Sequence, residues 1–246
     1  MPHSPTSVLS LTDFNGRPLP PELIASTFDA LMRENGYVYC CNVPDDFDHV
    51  AFCRTLGDFV PQYTGVMVGD VRPEQGMDDV YHSGNTRPLL PHTEGYDFEV
   101  VPPRYIALWC VAPCEGCGGE TTLADAYAWL ECLADEELER MRDTVYEWKT
   151  TDGVLRMGIE LHSRHPMLED HEDGLICRFS SNNMLRDGDG LAADLVARGL
   201  EFFEKTHVAI DYEANSLLVW DNFRMMHARN AFTDRGRHLK RVQVAA

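Results

Sequence analysis

The chain is short of positive charge: 21 lysines and arginines stand against 40 aspartates and glutamates in 246 residues, a formal net charge of −19. Such a balance repels phosphate backbones and anionic headgroups at long range, so no nucleic-acid partner and no membrane partner is expected. No apolar run approaches the ~20 residues that a membrane-spanning helix needs. The opening Met-Pro-His-Ser-Pro-Thr-Ser lacks a basic start followed by an apolar stretch. A secretory signal is therefore not expected, and a cytoplasmic location is. Internal repeats, low-complexity tracts and long linkers are missing too, so residues 1–246 read as a single domain. With 44% hydrophobic and 25% charged residues, global disorder is excluded.

Several catalytic signatures are also missing. There is no G-x-S-x-G elbow, no H-E-x-x-H, no phosphate loop and no dinucleotide glycine fingerprint. Asp187-Gly188-Asp189-Gly190 is too short for a calcium loop and reads as a turn. The eight cysteines do not suggest a disulfide framework in a chain of this length without a signal. Cys110, Cys114 and Cys117 form a C-x3-C-x2-C string, which could hold three irons of a four-iron cluster, as in radical enzymes that use S-adenosylmethionine. The competing reading puts Cys110 at the end of a buried strand and the other two in a glycine-rich turn.

What is present is a mixture of short strands and helices. Ile24, Phe28 and Leu31 predict an amphipathic helix over 21–34, ended by Gly36. A second helix is expected over 47–57, one or two over 124–143 with Asp135 as a cap, and another over 190–205. Strands are expected at Tyr37–Cys41, Tyr105–Val111, Leu175–Phe179, Ser216–Trp220 and Arg241–Val244, the second buried on both faces. His165–Asp173 and Arg186–Gly190 read as surface loops. The order does not alternate as a doubly wound sheet would, so the class is α+β or mainly β with flanking helices.

The chemistry concentrates in two places. In Pro91-His92-Thr93-Glu94, residues two apart on an extended strand project to one face, so His92 and Glu94 can share one ion. One imidazole and one carboxylate make two-thirds of the facial triad of non-haem iron(II). The best second histidine is His227, in Trp220-Asp221-Asn222-Phe223-Arg224-Met225-Met226-His227-Ala228-Arg229. Arg237 and Arg241 follow, and a guanidinium fork suits bidentate capture of a carboxylate. From Asp221 onward six lysines and arginines face two acids, a local basic cluster suited to an anionic cosubstrate.

Together, His-x-Glu, a distal histidine after Trp-Asp-Asn-x-Arg, and Arg-x-x-x-Arg resemble the iron(II)/2-oxoglutarate dioxygenases of the taurine-dioxygenase superfamily. The nearest likeness is to its clavaminate-synthase-like branch. Asn35-Gly36-Tyr37-Val38 and Gly118-Gly119-Glu120-Thr121 extend the resemblance over most of the chain. It implies a double-stranded β-helix, or jelly-roll, core with Fe(II) on His92, Glu94 and His227. It also implies that 2-oxoglutarate is bound by Thr121 or Thr122 and by Arg237, with Arg241 beside it. Dioxygen would be the second cosubstrate, with succinate and carbon dioxide released. The substrate implied is an amino acid or derivative, oxidised at an unactivated C–H bond by hydroxylation, with desaturation or cyclisation as the alternative. Ser83, Asn85, Arg178 and Arg224 are the candidate substrate-binding residues. The rival readings are a non-catalytic metal-binding jelly roll and the iron–sulfur enzyme.

Overall fold

The computed structural model describes residues 3–186 and 188–246. The first part of the chain runs β1 (Val8–Ser10), α1 (Pro21–Asn35), β2 (Tyr37–Cys41), α2 (His49–Arg54), β3 (Phe59–Val60), β4 (Val68–Val71) and β5 (Leu89–His92). The middle continues with β6 (Tyr105–Ala112), β7 (Thr121–Asp125), α3 (Ala126–Leu130), α4 (Asp135–Asp143), β8 (Val145–Lys149), α5 (Asp152–Arg156), β9 (His162–Pro166), β10 (Leu168–His171) and β11 (Gly174–Cys177). The last part holds β12 (Met184–Leu185), α6 (Gly190–Thr206), β13 (Val208–Ile210), β14 (Leu217–Asp221), β15 (Met225–Arg229) and β16 (His238–Val244).

Two sheets make the core. The larger has the order β1-β2-β14-β6-β16-β3, with β4 also on β16; the smaller has the order β13-β7-β15-β5. Only the β1–β2 pair is parallel among these ladders. Alternation along each strand divides its side chains between two layers. Tyr37, Tyr39, Ile106, Leu108, Leu218, Trp220 and Leu239 face the smaller sheet and meet Leu123, Ile210 and Met225. Their neighbours Val38, Cys40, Ala107, Trp109, Leu217 and Val219 face the other way, where Phe28 and Met32 of α1 cover them. The outer face of the smaller sheet, through Ala124, Met226 and Ala228, packs on α3, α4 and α6. This is the double-stranded β-helix core with flanking helices, and the cavity between its two sheets holds the site.

Helix ends follow local chemistry. Gly36 takes φ 74° behind α1, where a Cβ would sit 2.5 Å from the Met225 sulfur, so only glycine closes this turn. The helix expected over 47–57 is only His49–Arg54, capped by the Asp48 carboxylate. In the 124–143 stretch the chain stays in β7 to Asp125, which caps α3. Asp135 is not the cap of α4: Ala134 holds that position, and Glu137 accepts its backbone N–H at 2.9 Å. His165–Asp173 is not a loop. It contributes to β9 and forms the hairpin β10–β11, and it buries Met167 and Leu168 while its charged residues face outward. Of the Arg186–Gly190 stretch, Asp189 caps α6; Asp187 lies outside the described residues. No helix among the described residues is long and apolar enough to cross a membrane.

Candidate active site

His92 and His227 stand directly opposite one another on the antiparallel pair β5–β15. Their rings lie 4.1 Å apart by centroid, and Trp220 packs against His227 at 4.8 Å. Glu94 follows β5, and its Oε2 lies 3.9 Å from His92 Nε2 and 3.7 Å from His227 Nε2. One donor atom from each residue falls within 4.8 Å of the others. The His92 Nδ1 is held 2.8 Å from the Leu90 carbonyl, to which it donates, leaving Nε2 with its lone pair toward Glu94. Burial pushes both imidazoles toward the neutral form, His227 strongly so with His92 beside it. Two neutral imidazoles and one carboxylate, converging on one point, fit a divalent transition metal and match the set used for non-haem iron(II).

The backbone around these donors is fixed by the Asp221-Asn222-Phe223-Arg224 corner. Asn222 accepts the Glu94 N–H at 2.7 Å and donates to the carbonyls of Glu94 and Pro103 at 3.0 and 2.9 Å. Between the two ligands, Thr93 turns the other way and exchanges hydrogen bonds with Phe179. The pair His92/Glu94 is therefore aimed from both sides.

Arg237, Arg229 and Arg241 reach the same cavity, of about 880 Å³ with its open mouth, together with Thr121 and Tyr212's neighbour Leu239. Arg237 is 2% exposed, lies over the rings of Tyr212 and Phe232, and its Nη1 has no partner among the described residues. Thr121 bonds the Tyr212 hydroxyl at 2.8 Å, so both residues are organised around one tyrosine. Thr121 lines the cavity and Thr122, on the opposite face of β7, does not. Gly119, at φ 83°, leaves the room that Arg237 occupies: a Cβ there would come within 3.0 Å of its Cδ and Nε. Arg241 sits at the metal-binding end, with Nη1 3.2 Å from Glu94 Oε1 and Nε donating to Gln62 at 2.7 Å.

A model of the taurine catabolism dioxygenase TauD, TfdA family matches residues 9–243. The chain belongs to that family. It is accordingly an iron(II)- and 2-oxoglutarate-dependent oxygenase, an oxidoreductase with dioxygen as its other cosubstrate. Among curated proteins, the tyrosine isonitrile desaturase of Pseudomonas aeruginosa is 27% identical over 215 residues, covering 79% of this chain and 71% of that one. Among solved structures, an asparagine oxygenase bound to Fe(II), 3-hydroxyasparagine and succinate superposes with a TM-score of 0.78 at 19% identity, over 92% of this chain and 80% of that one. The oxygenase OrfP, with Fe, succinate and hydroxyarginine, gives 0.70 at 16%, over 92% and 82%. At those identities the structures establish the shared fold.

Other residues singled out in this TauD/TfdA chain divide between the cavity and the fold around it. Ser83 lines the cavity. Asn85 is buried behind it, donating to the Met77 and Val80 carbonyls. Arg178 is committed to Glu169 at 2.5 Å, and Arg224 to Asp125 at 2.6 Å and to the Arg33 and Glu34 carbonyls at the end of α1; neither reaches the cavity. Cys110 is buried within β6, short of its end at Ala112, while Cys114 and Cys117 lie in the turn before β7.

Residues without a role in the sequence reading also line the cavity: Tyr63, Tyr81, Tyr96 and Arg229. Tyr63 donates to both oxygens of Asp97, at 2.8 and 3.0 Å. Among the described residues Arg229 has no carboxylate partner; it donates to the Ser83 and Arg87 carbonyls and to Asn85. Burial and the nearby Arg237 lower its pKa to about 9. The signal for Arg229 was its spacing: two residues after His227 on a strand, it must share the inward face.

Proposed function

We propose that this oxygenase oxidises an unactivated C–H bond of a small amino-acid-like substrate, with His92, Glu94 and His227 as the iron ligands. The observation that carries the reading is the convergence of those three donors on a cavity that also receives the buried Arg237, whose Nη1 has no partner among the described residues. When bound, iron(II) and 2-oxoglutarate supply the oxidation by dioxygen, releasing succinate and carbon dioxide. Arg237, with Thr121 at the same tyrosine, holds a cosubstrate carboxylate by charge-assisted bonds. Arg241, at the metal end, is the second cation; with Glu94 holding a metal, its Nη1 would be available to a substrate carboxylate while Nε stays on Gln62. Tyr63, Tyr81, Tyr96 and Trp220 wall off water and hold the side chain to be oxidised. Because the site joins residues from Tyr63 to Arg241, it supports reading residues 1–246 as one domain.

Hydroxylation is the outcome proposed first, since both oxygenases compared above are named with hydroxylated amino acids. Desaturation is the second reading, favoured by the name of the curated relative. The test is anaerobic addition of iron(II) and then 2-oxoglutarate to the purified protein. A weak visible band of the chelate is expected in the native protein and absent in Glu94→Ala and His227→Ala; its absence from the native protein overturns the assignment. Product mass then separates a gain of one oxygen from a loss of two hydrogens.

A further inference from the structure

His82 lines the cavity from the irregular segment before β5, and neither the metal set nor the cosubstrate set uses it. Its place is built. A Cβ on Gly153 would come within 2.5 Å of the His82 Cβ and 2.6 Å of its Cδ2, and one on Gly84 within 2.8 Å of its Nδ1. Glycine weakens a helix, so Gly153 inside the short α5 is explained by the ring that it admits. The segment itself is anchored: Asn85 donates to the Met77 and Val80 carbonyls, and Arg229 to the Ser83 carbonyl. One contact fixes the proton. His82 Nδ1 lies 2.9 Å from the Gly84 nitrogen, whose N–H it accepts. An imidazolium carries a proton on both nitrogens and could not accept there, so the ring is neutral with its proton on Nε2. Burial, with Arg241 and Arg229 nearby, lowers its pKa and so favours the same form. Among the described residues no acceptor meets that Nε2–H. Other polar groups of the lining serve the fold: the Tyr81 hydroxyl exchanges hydrogen bonds with the Leu90 backbone, Tyr63 is on Asp97 and Thr121 is on Tyr212. The charges that His82 feels are those of Arg241, Arg229 and Glu94, which puts it toward the metal end.

We propose that His82 is a specificity-determining residue of this oxygenase, donating its Nε2–H to an uncharged oxygen, a carbonyl, ether or hydroxyl, on the substrate's side chain. A neutral donor in a cavity already supplied with arginines discriminates by hydrogen bonding rather than by charge. A substrate that turned an apolar group to Nε2 would strip the donor of water and leave it unmade, which costs more than the bond itself contributes. The ring cannot turn away to avoid this, because Gly153, Gly84 and the Nδ1 contact hold it. The inference rests on the oxygenase reading above and adds one demand on the substrate to it.

The experiment keeps the two readings apart. The visible chelate band of the iron(II)- and 2-oxoglutarate-loaded protein tests the oxygenase reading by itself. Nitrogen NMR of zinc(II)-loaded protein labelled at histidine tests the ring by itself, with the His82 signals assigned from the spectrum of His82→Gln. A neutral ring protonated on Nε2 is expected at neutral pH; a proton on Nδ1 overturns the proposal. Succinate release is then measured with the twenty common amino acids as probes. Those whose side chains carry an uncharged oxygen are expected to stimulate release most in the native protein. His82→Phe, which keeps a ring and loses the donor, should raise their KM at least about tenfold while apolar side chains change less than about twofold. His82→Gln, whose amide N–H reaches the place of Nε2, should restore most of the loss. Thermal melts and the chelate band of both variants separate lost recognition from a damaged fold. An equal change for all probes, no recovery in His82→Gln, or no stimulation by any side-chain oxygen overturns the proposal.

Discussion

Six of the wholly or partly buried arginines divide into two regions by what faces them. Arg104, Arg178 and Arg224 lie outside the cavity and each holds a carboxylate of the fold: Asp221, Glu169 and Asp125. Arg229, Arg237 and Arg241 line the cavity. There, Arg229 makes do with neutral carbonyls and an amide, and Arg237 leaves a buried Nη1 without a partner among the described residues. Arg241 bonds the Gln62 amide and pairs with Glu94, the carboxylate proposed as a metal ligand. Burying a guanidinium without a dedicated anion is costly, and a protein that does so three times in one cavity is built to receive negative ligands. On the function proposed above, the paired arginines hold elements together and the others recognise anionic ligands.

The sharpest way to break this division is Arg237→Ala. Removing the charge-assisted partner of a buried carboxylate should cost roughly 2–5 kcal/mol of 2-oxoglutarate binding, with iron affinity unchanged. Anaerobic titration of the chelate band measures both. Unchanged cosubstrate affinity would move Arg237 into the structural group and leave Arg241 as the cosubstrate's partner.

Arg224→Ala probes the other region. The variant strands Asp125 and frees the Arg33 and Glu34 carbonyls that end α1. A loss of about 1–3 kcal/mol in denaturant stability is expected, discounted toward the low end because both partners are partly exposed. The 2-oxoglutarate affinity should stay within about twofold, since nothing that lines the cavity is touched. A selective loss of cosubstrate binding would contradict the division.

How far this was legible beforehand depends on which kind of signal each part leaves. The strand at Tyr105–Ala112 announces itself as a continuous apolar run because both of its faces are covered. The β10–β11 hairpin hides because only one face is buried, so Glu169, Asp170, His171 and Asp173 dominate its composition. His92, Glu94 and His227 stand out because two donors share one strand end and the third follows a long apolar strand. Arg178 and Arg224 misled for a different reason. A sequence does not show which arginine meets Asp125, 99 residues before Arg224, and which meets nothing. The tyrosines of the cavity left no signal because Tyr63 and Tyr81 come from irregular segments whose path only the fold determines.

Asp97 offers a smaller test on the same theme, with the sign reversed: a buried carboxylate with no cation among the described residues. Burial raises its pKa to about 6 from the ordinary 3.8, partly offset by the Tyr63 bond. The folded state therefore holds this proton more tightly than the unfolded chain. The contribution to stability is full below the unfolded value near 4 and is lost as pH rises through about 6. Asp97→Asn keeps an acceptor for Tyr63 and removes the charge. It should raise stability at pH 7.5 by about 1–2 kcal/mol and flatten the stability profile between roughly pH 4 and 6. Denaturant melts at pH 4.5, 6 and 7.5 measure it. Destabilisation at pH 7.5 would mean that the carboxylate meets a cation after all.

The smallest effect is expected at the cysteines, where the comparison between paired and waiting groups predicts nothing to recognise. Cys110 faces inward from β6 among Leu123, Ile210 and Leu239, and burial pushes its pKa up to about 12, so it is a thiol rather than a metal-binding thiolate. Cys114 stands beside Gly119 in the turn, its Cβ 3.3 Å from where a Gly119 Cβ would be, and Cys117 is exposed. Cys114→Ala and Cys117→Ala should therefore keep iron content and turnover within about twofold of the native protein, since neither thiol is among the residues that line the cavity. Iron per chain, measured after anaerobic loading and desalting, checks this independently of any substrate. If either variant lost its iron with His92, Glu94 and His227 in place, the metal would have to sit on sulfur, and the cavity arginines would lose the cosubstrate assigned to them.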